Sequence, residues 1–139
     1  MKVLRGIGIA TLGLFALNNL ARGGVHVFAE DGGAASTGGL DLTAGGAVIV
    51  SLFAAIGIVQ MVIGAFEIFV LTRRRDLLVI ALGLQAALSF GGVLVLQMWK
   101  PLPMAETLAI VNLGLAAVAT AGWLAGLASR RHAGQGALA

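Results

Sequence analysis

The sequence predicts an all-α integral membrane protein: a four-helix bundle, up-down-up-down, with both termini cytoplasmic. Three observations carry that expectation. Hydrophobic residues make up 59% of the 139 and charged residues only 11%, where a water-soluble domain has roughly 25% charged. The apolar residues fall into four runs, each long enough to cross a ~30 Å hydrocarbon core at ~1.5 Å of rise per residue. The basic residues gather at the ends of these runs. If four spans alternate, Lys2, Arg5, Arg73, Arg74, Arg75, Arg130 and Arg131 share one side, and only Arg22 and Lys100 fall on the other. Such a bias marks the cytoplasmic side. The formal net charge of +3 is therefore a topology signal, and no nucleic-acid partner is expected.

Residues 1–29 admit two readings. Lys2 and Arg5 precede an apolar run, and Val27 and Ala29 would suit a signal-peptide cleavage site before Glu30. Against cleavage, Asn18, Asn19, Arg22 and His26 make an overlong polar stretch ahead of that site, so a retained first helix over about 3–22 is expected. Residues 30–45 are polar and glycine-rich and read as an outer loop, too poor in large side chains to pack a domain of their own.

The second helix, over about 46–72, is the most telling stretch. It carries a single formal charge, Glu67, before Arg73, Arg74 and Arg75 arrive together. Gly57, Gln60, Gly64 and Glu67 are spaced by three, four and three, so they share one face, with Leu52, Ile56, Ile63 and Phe66 elsewhere. A small and polar face on an apolar helix should look at protein rather than lipid. The third helix spans about 77–99. Trp99 and Lys100 end it as interfacial anchors, and Pro101 and Pro103 forbid its continuation. The fourth spans about 104–128, within a single transmembrane domain of residues 1–128. Residues 129–139 read as a disordered cytoplasmic tail.

Each of the other helices has its own inward stripe: Gly8, Thr11, Asn18 and Arg22; Ala81, Gln85, Ser89 and Gly92; Asn112, Ala116, Ala119 and Trp123, with Gly122 and Gly126 alongside. Counting ~1.5 Å per residue from the helix ends sorts these into layers. Glu67, Gln85, Thr120 and Arg5 would form a buried polar network with Gln60. Asn18, Asn19, Arg22, His26 and Asn112 would form an outer polar layer. An unpaired carboxylate in hydrocarbon is costly. Glu67 must then be protonated, hydrogen-bonded by Gln85 or Thr120, or paired with Arg5. A structural hydrogen bond that fixes helix register is the expected role, and a proton relay is the alternative.

The chemistry of catalysis is sparse. Cysteine is absent, which excludes disulfides, thiolate metal sites and dithiol relays. The glycine-rich segment lacks GxGxxG and GxxxxGK[ST], and HExxH is absent too. His26 with Glu30 and Asp31 does not make a convincing metal set, and interfacial anchoring is expected of it. No enzyme activity, cofactor or metal is expected.

The order of parts resembles the DoxX-like group of small four-helix bacterial membrane proteins. The matching features are a first helix, a glycine-rich outer loop, GAFE in the second helix, the basic turn TRRRDLL, LGLQAAL in the third helix, the proline turn KPLP and a basic end to the fourth helix. The resemblance implies the bacterial inner membrane and an accessory role, in some members beside oxidoreductase complexes. It transfers no catalytic residue. The expected function is a non-enzymatic accessory or scaffold subunit of a membrane complex, with the lipid bilayer, a membrane-protein partner or a second copy as partners. The alternatives are a small proton-coupled transporter using Glu67 and a quinone- or lipid-binding partner of a membrane oxidoreductase.

Because the chain has no cysteine of its own, single cysteines at Ser36 and Ser129 report topology cleanly. In intact cells an impermeant thiol reagent should label position 36 and spare position 129. The reverse pattern would invert the topology.

Overall fold

The computed structural model describes residues 2–99 and 106–135, with side chains described as far as Arg131. These residues form α1 (Lys2–Phe28), α2 (Gly46–Arg73), α3 (Leu78–Val93) and α4 (Glu106–Gln135). A short 3-10 turn, Arg75–Leu77, leads into α3, and a π-helical stretch, Leu94–Trp99, continues it. Four helices are long and apolar enough to cross a membrane, counting Arg75–Trp99 as one. Among the described residues there is no strand.

Two boundaries differ from the sequence reading. α1 runs six residues past Asn18–Arg22, to Phe28, instead of ending near 22. Gly23 does not break it, because its bare backbone lies on α2. A Cβ there would sit 2.7 Å from the Gly57 carbonyl oxygen, so packing outweighs the poor helix propensity of glycine. At the other end, residues 129–135 continue α4 instead of opening a disordered tail at 129. Residues 136–139 of that tail, and the Lys100–Pro103 turn with the expected helix start at 104, lie outside the described residues.

α1 is the central element. It packs against α2, α4 and α3, while α2 packs almost wholly on α1. Small residues make this possible. A Cβ at Gly57 would meet His26 Cβ at 2.7 Å, and one at Gly64 would meet Leu20 Cγ at 2.9 Å and the Ala16 carbonyl oxygen at 3.0 Å. Gly122 of α4 lies so close on Thr11 of α1 that any side chain there would collide. Gly83 of α3 lies under the Trp123 indole, 2.9 Å from Nε1 to a notional Cβ. Close backbone approach of this kind maximises dispersion contact, the main attraction between helices where lipid removes the hydrophobic drive.

The core is densest at the end that carries the basic residues. There Leu12, Val70, Leu78, Ala81 and Leu82 form one buried cluster. A second cluster, Phe15, Ala86 and Ala119, lies beside it and shares Trp123 with the first. Arg130 donates to the Asp76 carbonyl, tying α4 to the turn before α3. That turn is held by the exposed Arg74–Asp76 pair at 2.9 Å. Arg74 keeps the Asp76 carboxyl below its ordinary range through this hydrogen bond.

Gly64→Leu should destabilise the detergent-solubilised protein, because overpacking typically costs about 1–3 kcal/mol. Gly114→Leu is the control, since nothing lies within 4 Å of a Cβ there. Thermal melts should separate the two by several degrees. Equal melting temperatures would mean that α1 and α2 do not meet at Gly64.

Candidate functional site

Of the predicted inward face of α2, Gly57, Gly64 and Glu67 are buried, with Val70 beside them, and Gln60 is half-buried. Leu52, Ile56 and Phe66 are exposed and Ile63 is half-buried. Glu67 is 2% exposed, among the most deeply buried side chains of the protein. Its partner is neither Gln85, Thr120 nor Arg5. Asn19 Nδ2 donates to Glu67 Oε2 at 2.9 Å. The same amide nitrogen donates to Gln85 Oε1 at 3.2 Å, and Gln85 Nε2 donates to Ser89 Oγ at 3.0 Å. A chain of side chains thus runs from α2 through α1 to α3. Glu67 Oε1 is buried without a partner.

The network differs from the expected one in three members. Arg5 is exposed and takes no part. Thr120 turns its hydroxyl back to the Ala116 carbonyl of its own helix at 2.8 Å. Gln60 Oε1 is buried with no partner, so Gln60 does not join Glu67 through it. Asn19, placed in the outer layer by the sequence reading, is the residue at the centre. The cause is the length of α1. Extending it to Phe28 puts Asn19 ~13 Å from the outer end, instead of the ~5 Å implied by an end near 22.

The outer layer is partly assembled. Arg22 Nη1 donates to Asn112 Oδ1 at 3.3 Å, joining α1 to α4. His26 is buried under the loop. Its Nδ1 is 2.6 Å from the Gly32 carbonyl oxygen, and its ring stands edge-on to Phe53 at 5.0 Å. Asn18 is half-buried.

The loop between α1 and α2 is more ordered than its composition suggests. Gly32 and Gly33 take successive positive φ values, 60° and 75°, where a larger residue would be strained. Asp31 closes the turn, accepting from the Gly33 amide at 2.8 Å and the Ser36 amide at 2.6 Å. These bonds, Ser36 first, hold the Asp31 carboxyl down at about 2.

Beneath this loop the interior is hollow. A cavity of ≈ 490 Å³ lies between α2 and α3, backed by Asn19 and Arg22 of α1. A second, of ≈ 380 Å³, lies under the loop residues Gly33, Thr37, Gly38 and Leu40. The two share Arg22, Ile56, Gln60, Leu96 and Asn112, so they form one cleft with an inner and an outer half. α2 and α3 barely touch, and Leu52, Val59 and Leu88 on the rim are more than half exposed. The cleft therefore opens sideways. The π-helical stretch places Leu96 and Gln97 on its wall, with Gln97 Nε2 donating to the Ala109 carbonyl of α4 at 3.1 Å. Sequence reasoning found Arg22, Gln60, Gln85 and Asn112 but not that they surround a space.

No family model matches the chain, and no curated protein or solved structure is significantly similar to it.

The Asp31 turn should make the loop acid-sensitive. A carboxyl lowered from 3.8 to about 2 stabilises the folded turn above 3.8, and the contribution vanishes as pH falls through about 2. Limited proteolysis of the loop by an acid-active protease should stay slow at pH 4 and quicken as pH approaches 2. Asp31→Asn should quicken it already at pH 4. A loop equally resistant in both proteins would show that Asp31 does not hold the turn.

Proposed function

We propose that the protein is a small integral protein of a bacterial inner membrane that holds an amphiphilic molecule of lipid or quinone type in the cleft between α2 and α3, and serves without catalysis as an accessory subunit of a membrane complex. The observation that carries this reading is the cleft itself, which is side-open, mostly apolar and polar at its inner wall. Concave apolar sites with a few convergent polar groups are the usual form of small-molecule sites. A purely scaffolding role needs no such space.

The helix pairings support an up-down-up-down course. Gly23 meets Gly57 and Ala16 meets Gly64, Val79 meets Gly126 and Gly83 meets Trp123, so numbers rise on one helix as they fall on the next. With the basic bias, this course favours both termini in the cytoplasm. The central place of α1 favours its retention as a membrane helix. The DoxX-like order of parts supports the accessory role, with a membrane-protein partner or a second copy alongside. Proton-coupled transport through Glu67 is less well supported. Asn19 and Gln85 line the cleft, whereas Glu67 stands behind Asn19 and outside its lining.

Gly92 offers a direct test. It lines the cleft, and nothing lies within 4 Å of a Cβ built there. Gly92→Phe should fill the space without unfolding the protein. Purified in mild detergent, the parent should carry an amphiphile seen by mass spectrometry and Gly92→Phe should have lost it, at an unchanged melting temperature. Equal retention by both proteins would overturn the reading.

A further inference from the structure

Arg22 is a cation in the middle of the cleft wall, shared by the inner and outer halves. Its described hydrogen bond is to a neutral amide, Asn112. The carboxylates are engaged elsewhere or lie at the surface: Glu67 accepts from Asn19, Asp31 from Gly33 and Ser36, Asp41 from Thr43, and Asp76 from Arg74, while Glu30 and Glu106 are exposed. Among the described residues the one ion pair is Arg74–Asp76. A guanidinium inside an apolar wall without a counter-charge is costly. Its planar fork of donors matches a phosphate or carboxylate. Gln60 lies on the same shared wall and keeps a buried acceptor, Oε1, without a donor.

Two complementary deficits therefore meet at one place: a cation without an anion and an acceptor without a donor. Resting on the reading of the cleft as an amphiphile site, we infer that its ligand is an anionic lipid whose head group carries a free hydroxyl. The phosphate binds Arg22 beside Asn112, and the head-group hydroxyl donates to Gln60 Oε1, which a half-turn of the terminal amide brings from its buried position to the cleft wall. The acyl chains leave through the side opening, past Val59 and Leu88, into the bilayer. Arg22 lies ~9 Å from the outer end of α1, a depth that a lipid head reaches without leaving its leaflet. The outer loop roofs the site, so the ligand enters from the membrane rather than from water.

The test uses the full chain reconstituted in nanodiscs that offer phosphatidylcholine, phosphatidic acid and phosphatidylglycerol equally, then released into mild detergent for native mass spectrometry. Phosphatidylglycerol should be retained over phosphatidylcholine by roughly tenfold or more, the scale of a hydrogen bond to a charged group. It should also be retained over phosphatidic acid, which lacks the head-group hydroxyl. Arg22→Gln should abolish the preference over phosphatidylcholine, and Arg22→Lys should keep much of it. Gln60→Leu should level phosphatidylglycerol with phosphatidic acid alone. Lipid retained in the proportions offered would overturn the head-group assignment and leave the cleft reading intact. A parent that retains no lipid would overturn both. Should Arg22→Gln fail to fold, the preference of the parent still decides.

Discussion

A polar side chain inside a membrane must find its partner within the protein, and the rest of this structure depends on that constraint. α1 is the least apolar of the four membrane-length helices and carries Thr11, Asn18, Asn19, Arg22 and His26. It occupies the centre, where α2, α3, α4 and the outer loop each answer one of its polar groups. Asn19 binds Glu67 and Gln85, Arg22 binds Asn112, and His26 binds the Gly32 carbonyl. The more apolar α2 is left at the edge with most of its surface toward lipid.

Small residues then decide where the helices close and where they part. Gly23, Gly57 and Gly64 seat α2 on α1, and Gly122 seats α4 on the other side of it. Nothing comparable joins α2 to α3 beyond the cluster of Val70, Leu78 and Leu82 at the basic end. Away from that end the two helices leave room, and the polar groups of α1 and α3 form the inner wall of the space. The same arrangement thus yields a solid half and a hollow half.

Much of this was legible in the sequence. The inward face of α2 could be read because Gly57, Gly64 and Glu67 repeat at helical spacing against an apolar background, where any polar residue stands out. Gly8, Ala81, Ala116 and Gly122 were legible for the same reason. Counting depth from a helix end misplaces Asn19, because Gly23 and Gly24 look like an end until α2 is present to pack on them. Depth alone puts Arg5 and Thr120 beside Glu67, because it is silent about azimuth. The order of the outer loop was hidden because its glycines serve positive φ values, which composition cannot distinguish from flexibility. The cleft was invisible because a cavity is a property of how helices diverge, and no single helix encodes that.

The arrangement of contacts also bears on how the protein is made. The most extensive interface joins α1 to α2, which leave the ribosome before α3 and α4, and the next joins α3 to α4. Each is a pair of sequence neighbours, so each can close before distant segments exist, at a small cost in loop entropy. The first hairpin already contains the Asn19–Glu67 bond and the Gly57 and Gly64 contacts, so the acid's hydrogen bond needs neither α3 nor α4. The second hairpin supplies Gln85 to the spare hydrogen of Asn19 and Asn112 to Arg22 as it docks. Sequence order and polar pairing therefore run in step, with α1 touching both the helix that follows it and the hairpin of α3 and α4.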